Sequence, residues 1–274
     1  MLNEFFLETL KEEGKGLGIP LNKKRALIRE YLQSKIIYYL YQERIGKSLS
    51  FIGGTSLRLL RDLDRFSEDL DFDNLSLNFS QIKELFFKIK NKLEKEGFGI
   101  DYKMKKTNNS GIGEFKFKNL LFQLKISSDP KENLTLRINY TTPKIKPETE
   151  ILILTRFGLV QTIITNKMEF LLAQKIRAIL TRKEFLPRDF YDLVWFFGYK
   201  IRPARKLFPE MKVKEEKELF LKLENIYFKK IKPDIKNFKK RLSPFLIDEK
   251  KVYYLDLFGD LIKNLSKAVE FIKF

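Results

Sequence analysis

Apolar positions early in the chain recur at the spacing of one helix face. Leu32, Ile36 and Tyr39 lie three or four positions apart, and this period places them on the same side of a helix. We therefore predict that the chain is helical up to about Lys47.

The pattern changes around a glycine pair. Phe51 and Ile52 form a short apolar run that leads into Gly53 and Gly54, and a second helical pattern follows at residues 56–61. Residues 70–73 then alternate apolar and acidic side chains, as a strand with one buried face does. The glycine pair is therefore predicted to lie where a short strand turns into a helix.

The middle of the chain alternates between helix and strand patterns. A helix is predicted from Phe79 to about Glu96, with Ser80 as its N-terminal cap and Gly97 as its stop. Three strand candidates follow, separated in part by a turn signal at residues 108–111. These candidates are residues 100–105, residues 114–126 (either a bulged strand or a hairpin) and residues 134–140.

Two prolines, Pro143 and Pro147, predict a linker before a mostly helical second half. The predicted helices are residues 168–182, 188–197, 219–230 and 254–273. We predict an α+β fold with two domains, a small mixed sheet with flanking helices in residues 1–145 and a mainly helical domain in residues 146–274.

Hydropathy predicts a cytoplasmic protein without a membrane partner. The hydrophobic fraction is 43% and the mean hydropathy is −0.31, while no apolar run reaches the roughly 18 to 20 residues of a membrane span. Residues 1–6 do not resemble the start of a secretory signal.

The formal net charge is +18. The abundance of Lys, Ile, Phe and Asn is also typical of a low-GC genome, but an excess of this size favours a polyanionic partner.

Two residue types are missing, and their absence limits the possible chemistry. The chain contains no cysteine and no histidine, which excludes disulfides, thiolate nucleophiles, zinc sites with histidine ligands and Ser-His-Asp triads. Any reaction must use carboxylates, lysine, arginine, hydroxyls and a hard cation held by oxygen ligands. These groups suit phosphoryl or nucleotidyl transfer, in which positioning and charge neutralisation supply most of the catalysis.

Asp69 and Asp71 are the candidate metal ligands. Residues two apart on a strand project from the same face, and two adjacent carboxylates repel each other unless a cation or a proton lies between them. Magnesium or manganese could bridge the pair to a triphosphate. The Asp-x-Asp pattern alone fits a solvated acidic strand edge equally well.

The glycine turn upstream adds groups that bind phosphate. Gly53 and Gly54 let a phosphate approach the backbone, and Thr55 and Ser56 offer hydroxyls and amides at a helix N-terminus, where the helix dipole favours an anion. Three arginines add positive charge nearby, namely Arg58, Arg61 and Arg65. The alternative is a plain glycine-rich turn that binds no ligand.

Two blocks of sequence carry a family resemblance. Residues 51–60 and 64–72 resemble the AbiEii/AbiGii family of nucleotidyltransferase toxins, whose core is similar to DNA polymerase beta and the aminoglycoside nucleotidyltransferases. Residues 174–182 and 188–193 resemble the family's lysine-containing helix and its R-D-x-Y-D-L signature. The similarity covers roughly residues 25 to 195.

The resemblance implies roles for the second block. Lys175 would bind the nucleotide phosphates, while Asp189 or Asp192 would complete the site or hold Lys175 and the arginines in place. Lys175 and Arg182 lie seven positions apart and share a helix face. Without the family, Lys175 could be a solvated helix residue, Asp189 an anion at a helix N-terminus, and Asp192 a structural partner of Arg188.

One position departs from the polymerase-like pattern. A third carboxylate is expected on the strand at residues 134–140, which carries Arg137 and Asn139 but no acid. Either two carboxylates suffice, with Asn139 or water in the third place, or the acid lies elsewhere, or the chemistry is weakened.

The resulting prediction is a magnesium- or manganese-dependent toxin that transfers a nucleoside monophosphate from an NTP. The acceptor would be RNA, with the 3′ end of tRNA favoured, and an antitoxin protein would be the partner. The alternatives are a protein or small-molecule hydroxyl as acceptor, or a nucleotide- or RNA-binding module without turnover. The predicted catalytic residues are Asp69, Asp71, Lys175, Asp189 and Asp192, with Asp69 and Asp71 as metal ligands. The predicted nucleotide-binding residues are Gly53, Gly54, Thr55, Ser56, Arg58, Arg65, Lys175 and Arg182.

Overall fold

The computed structural model describes residues 4–268, which form two compact units. Met1–Asp62 and Phe66–Thr165 contribute to the first unit, and Leu63–Arg65 and Asn166–Phe274 to the second, as far as the described residues reach. The chain therefore enters the second unit for three residues and then returns to the first. This division describes compact packing; the domains predicted as 1–145 and 146–274 stay a prediction.

A seven-stranded mixed sheet forms the centre of the first unit, with the strand order β3-β4-β5-β2-β1-β7-β6. Strands β2 and β5 run parallel, as do β1 and β7, whereas β1/β2, β3/β4 and β4/β5 are antiparallel. The strands are β1 (Leu49–Ile52), β2 (Leu70–Asn74), β3 (Ile100–Lys106), β4 (Ser110–Phe117), β5 (Leu134–Thr141), β6 (Thr149–Arg156) and β7 (Leu159–Asn166). The helices of this unit are α1 (Glu4–Gly16), α2 (Lys24–Gln42), α3 (Gly53–Arg61), α4 (Phe79–Lys95) and α5 (Leu120–Gln123).

One face of the β3-β4-β5-β2 part of the sheet packs on α4, and the other face is open. Along β5 the buried residues alternate with Thr135, Arg137 and Asn139, which are half-buried or exposed. On the packed face, a Cβ added to Gly113 would lie 2.9 Å from Cδ2 of Phe86 in α4. The helix therefore covers one face closely, and polar side chains collect on the other.

The structure corrects three local predictions in this unit. The cap of α4 is Asn78 instead of Ser80: the Asn78 side chain accepts a hydrogen bond from the Gln81 amide at 3.0 Å, and the Gln81 side chain accepts one from the Asn78 amide. Residues 114–126 are neither one bulged strand nor a hairpin, since β4 ends at Phe117 and α5 follows. The proline-marked segment leads into β6 and β7, two strands that the sequence analysis missed.

The second unit is built mainly from helices, as predicted. They are α6 (Met168–Thr181), α7 (Pro187–Gly198), α8 (Glu216–Ile226), α9 (Ile235–Leu242) and α10 (Tyr254–Ala268), with short 3-10 turns and a π-helical turn at Tyr227–Ile231. Aromatic rings fill its core; the Phe258 ring lies 5.3 Å from that of Phe190 and 5.2 Å from that of Tyr227. The last predicted helix extended to residue 273, and residues 269–273 lie outside the described part.

The mixed sheet with flanking helices and the helical segment after it confirm the predicted α+β fold class. Within the described residues, no helix combines the length and the apolar character that crossing a membrane requires.

Candidate active site

Asp69 and Asp71 stand at the start of the central strand β2. Leu70 and Phe72 point into the core, where they are 0% and 1% exposed, so the alternation of the strand directs Asp71 to the opposite, open face. Asp69 directly precedes the strand and is also half-buried. Asp69 lines a cleft together with Asn139, which bonds to Asp71, so the two carboxylates lie on the same side of the sheet, and their role as metal ligands stays a prediction.

The glycine turn packs directly against one of these carboxylates. Gly53 has a φ of +79°, a conformation that favours glycine, and a Cβ at this position would lie 2.4 Å from Oδ2 of Asp71. Gly53 follows Ile52, which is the residue paired with Asp71 across β1 and β2. Only glycine lets the turn and the carboxylate approach this closely.

The hydroxyls at the start of α3 bond within the turn. Thr55 Oγ1 donates to the carbonyl oxygen of Asp69, and Ser56 Oγ donates to the carbonyl oxygen of Gly53 at 3.0 Å. Both side chains are fully buried, as is Gly54. Thr55 thus ties the first turn of α3 to the carboxylate pair, while direct phosphate contacts from these hydroxyls stay a prediction.

Asn139 lies on β5, the strand where a third acid was expected. It lies opposite Asp71 across β2 and β5, and its Nδ2 donates to Oδ1 of Asp71 at 2.9 Å. Asp71 is therefore held from two sides, by Gly53 and by Asn139. The interaction orients the carboxylate and adds an amide oxygen to the polar groups around it.

The donor set fits a hard divalent cation. Among the residues that the structure describes, no group of three or more acidic side chains is placed to share a cation. Two carboxylates and an amide remain, and magnesium in phosphate-processing sites uses one or two carboxylates together with substrate phosphates and water. Asp69 and Asp71 are the residues that would hold such an ion.

A cleft of about 350 Å³ opens on the sheet face next to this pair. Its walls combine three cationic side chains with two carboxylates, an amide and one aliphatic residue. They are Lys103, Lys105, Arg137, Asp69, Glu114, Asn139 and Ile112.

The first two arginines after the turn take part in ion pairs within the first unit. Arg58 is 4% exposed, and its Nε lies 3.0 Å from Oε2 of Glu30 on α2. Arg61 Nη2 lies 2.8 Å from Oε1 of Glu150. In this structure Arg58 joins α3 to α2, and its predicted contact with phosphate stays a prediction.

Arg65 forms a buried ion pair within the second unit. Its Nε and Nη2 donate to the two carboxylate oxygens of Asp192 at 2.6 and 2.7 Å, and both side chains are at most 1% exposed. Arg188, the partner considered from the sequence, has its guanidinium 5.5 Å from the centre of the Phe245 ring. The pair joins the short segment Leu63–Arg65 to α7.

The other predicted residues of the second unit extend this ion pair into a cluster. Lys175 Nζ lies 2.7 Å from Oδ2 of Asp192 and 3.0 Å from Oδ1 of Asp189. Arg182 Nη1 lies 2.6 Å from Oδ2 of Asp189. Lys175 and Arg182 thus contact the same carboxyl group, although α6 ends at Thr181 and Arg182 follows it in extended conformation, outside the predicted helix face. Binding of nucleotide phosphates by this cluster stays a prediction.

Burial and charge act in opposite directions on the cluster. Burial acts to raise the pKa of Asp192, but the positive charges of Arg65 and Lys175 outweigh it and hold that pKa below its ordinary value. Burial likewise acts to lower the pKa of Arg65, and the charge of Asp192 raises it. Both groups therefore remain ionised at neutral pH.

Sequence reasoning missed two partners beside this cluster. Tyr191 Oη donates to Oδ1 of Asp64 at 2.7 Å, and Lys251 forms an ion pair with the same carboxylate. Burial, followed by the charge and hydrogen bond of Asp64, raises the pKa of Tyr191. Asp64 and Tyr191 lie inside the blocks that carry the family resemblance, and this position was the available signal for them, whereas Lys251 lies outside those blocks.

Comparison with solved structures supports the fold. The chain is similar to JHP933 from Helicobacter pylori, with 21% identity, a TM-score of 0.54, and coverage of 90% of this chain and 96% of that one. It is also similar to MenT4, a nucleotidyltransferase toxin from Mycobacterium tuberculosis, with 16% identity, a TM-score of 0.52, and coverage of 96% and 98%. At these identities the likeness concerns the fold. No curated protein sequence matches the chain.

A family model covers most of the chain. The model for the nucleotidyl transferase AbiEii toxin of type IV toxin–antitoxin systems matches residues 35–264, which include the glycine turn, both carboxylates and the ion cluster of the second unit. The chain therefore belongs to the AbiEii family of nucleotidyltransferase toxins.

Proposed function

We propose that this protein is a magnesium-dependent nucleotidyltransferase that moves a nucleoside monophosphate from an NTP to an acceptor hydroxyl. The observation that supports this most strongly is the fixed position of the Asp71 carboxylate, which lies against Gly53 and accepts a hydrogen bond from Asn139. A carboxylate held beside a glycine turn is suited to a metal that also contacts a triphosphate.

Each part of the turn has a defined task in this proposal. The α3 N-terminus offers backbone amides and the positive end of the helix dipole to the β and γ phosphates. The bond from Thr55 to the Asp69 carbonyl keeps the turn and the carboxylates in register. When bound, the divalent ion would supply charge neutralisation and polarise the phosphorus centre. The family resemblance assigns Lys175 to the phosphates as well.

The acceptor in this proposal is RNA, with the 3′ end of tRNA favoured. The net charge of +18 supports a polyanionic acceptor. A small cationic acceptor would favour acidic walls, but the cleft has three cationic side chains against two carboxylates. A protein antitoxin is the partner that membership in a toxin–antitoxin family implies.

A binding module without turnover is the second candidate. Arg137 stands on the strand where an acid was expected, and it forms an ion pair with Glu114 at 3.2 Å. Asp69 and Asp71 support the proposal that the protein turns over substrate. Product formation that depends on magnesium would distinguish an enzyme from a binding module.

Labelled NTPs incubated with total RNA, and separately with protein extract, test the reaction. We expect magnesium-dependent labelling of RNA by the wild-type chain and at least tenfold less by Asp69→Asn, because one metal ligand loses its charge. The matched control is Glu68→Gln, which neutralises an exposed carboxylate one position earlier. Label in protein alone would refute an RNA acceptor, and equal NTP affinity of Asp69→Asn and wild type in magnesium would refute the metal assignment.

A growth test in cells addresses the toxin role. Expression of the wild-type chain should slow growth, and Asp71→Ala should relieve the effect while Glu68→Gln should not. Slow growth with Asp71→Ala, at equal protein levels, would separate toxicity from the proposed chemistry.

A further inference from the structure

The open face of the sheet carries two rows of side chains that lead away from the carboxylates. Asp71 on β2 lies opposite Asn139 on β5, which lies opposite Ile112 on β4, which lies opposite Lys105 on β3. The next row consists of Arg137, Glu114 and Lys103 on β5, β4 and β3. Residues paired across strands project from the same face, so both rows line one surface.

The cations of this surface differ in their pairing. Arg137 is paired with Glu114 at 3.2 Å, which leaves little net charge in the middle of the second row. Lys103 and Lys105 are exposed, and neither has a carboxylate partner among the residues that the structure describes. The positive charge of the surface is therefore concentrated at β3, on the side away from Asp71.

The spacing of these groups suits a chain of nucleotides. Strands lie about 4.8 Å apart, so three steps from β2 to β3 cover about 14 Å, and residues two apart along β3 are separated by about 7 Å. Ile112 is 42% exposed and lies in the row between Asn139 and Lys105. The aliphatic side chain of Ile112 offers a contact for a ribose or a base between the polar side chains of Asn139 and Lys105.

We propose that this face binds the terminal nucleotides of a single-stranded RNA acceptor. Backbone phosphates contact Lys103 and Lys105, a ribose or base packs on Ile112, and the terminal hydroxyl lies at Asp69 and Asp71. A cleft of about 350 Å³ accommodates one strand end more readily than a duplex. This inference rests on the proposed function, because it places the acceptor of that reaction.

The test uses the full-length chain and a short single-stranded oligoribonucleotide of mixed sequence. Binding is measured by fluorescence anisotropy over a range of salt concentrations for wild type and for the double variant Lys103→Ala/Lys105→Ala. The control is Lys83→Ala/Lys95→Ala, which removes two exposed lysines from α4, on the opposite side of the sheet. The variant Lys103→Arg/Lys105→Arg keeps both charges.

Loss of two phosphate contacts has a defined signature. We expect the slope of log affinity against log salt to fall by about 1.4 in the alanine variant, since each phosphate on a single strand contributes about 0.7. The control and the arginine variant should keep the wild-type slope. An unchanged slope in the alanine variant would overturn the inference.

A separate measurement distinguishes this inference from the proposed function. Binding of a non-hydrolysable ATP analogue with magnesium should be equal in wild type and the alanine variant. If the variant loses analogue binding as strongly as RNA binding, the lysines serve the triphosphate and the inference is wrong. If wild type binds the oligonucleotide through the lysines but shows no magnesium-dependent analogue binding, the proposed function fails, and so does the placement of the RNA end at Asp69 and Asp71.

Discussion

At the scale of single residues, Gly53 is the position where backbone conformation and candidate chemistry meet. Its φ of +79° strains any other residue, and its missing Cβ leaves room for the Asp71 carboxylate. Gly158 has a similar φ of +69°, but nothing lies within 4 Å of where its Cβ would be. The two glycines share a conformation, but a side chain would displace Asp71 at Gly53 and no neighbouring group at Gly158.

This contrast gives a prediction for two alanine variants. Gly53→Ala and Gly158→Ala should each lower the free energy of unfolding by about 1 to 2 kcal/mol, because both place alanine in a left-handed conformation. Only Gly53→Ala should lower nucleotidyl transfer, by tenfold or more, because its Cβ pushes Asp71 away from its position. Chemical denaturation and an activity assay measure both effects. Equal activity in the two variants would show that the contact with Asp71 does not matter for the reaction.

Residue patterns predicted the carboxylate pair but not its surroundings. Asp69 and Asp71 were found because strand alternation is a local rule. The pair of Arg65 with Asp192 joins positions 127 residues apart, and no local pattern specifies that partner. The structure places Arg65 in a buried ion pair that no local pattern predicts, and its contact with nucleotide stays a prediction. The ion pair of Arg58 with Glu30 was also not predicted, because no local pattern specifies this partner either.

At the scale of elements, the start of α4 shows how two neighbouring polar residues differ in effect. Asn78 and Gln81 exchange side-chain and backbone hydrogen bonds, and Ser80 lies inside the first turn, exposed. The sequence carries cap-forming residues at both 78 and 80, so composition alone did not separate them.

The cap predicts a difference between two single substitutions. Asn78→Ala should lower the free energy of unfolding by about 1 kcal/mol, because the Gln81 amide loses its acceptor. Ser80→Ala should change it by less than about 0.5 kcal/mol, as exposed surface substitutions usually do. Urea denaturation of the two variants measures the difference. Similar losses would mean that Ser80 also contributes to the cap.

Two strands were missed because the polarity of their residues does not follow their burial, which alternates regularly along β6. β6 is the last strand of the sheet, and Ile151 and Ile153 on it are 68% and 60% exposed. An apolar residue that faces solvent cannot be distinguished by sequence from one that faces the core. The fold class was predictable from the periodic segments, whereas the outer strands depended on tertiary pairing.

At the scale of the whole molecule, the lack of histidine shapes the response to pH. No side chain with an ordinary pKa between about 5 and 8 is present. The lowered pKa of Asp192 places its effect in the acid range: the stability it contributes is present above the unfolded pKa of about 3.9 and is lost as pH falls through the folded pKa.

We therefore predict a flat stability profile near neutral pH and a loss in acid. The free energy of unfolding should change little between about pH 6 and 8 and should decrease below about pH 4. At neutral pH, Asp192→Asn should cost about 3 to 5 kcal/mol, since Arg65 remains buried with a neutral partner. The difference from wild type should shrink in acid, where the Asp192 carboxyl of the wild type is also protonated. Parallel curves at all pH values would contradict this role of Asp192.

Leu63–Arg65 packs with the second unit, although most of that unit is synthesised later. Arg65 leaves the ribosome 127 residues before Asp192, so its guanidinium lacks this carboxylate while those residues of the 274-residue chain are being translated. The segment that joins α3 to the carboxylate strand can reach its final state only after α7 has been made. We expect a nascent or truncated chain that ends before Asp192 not to slow growth, so that toxicity begins only after the first 192 of the 274 residues have been made.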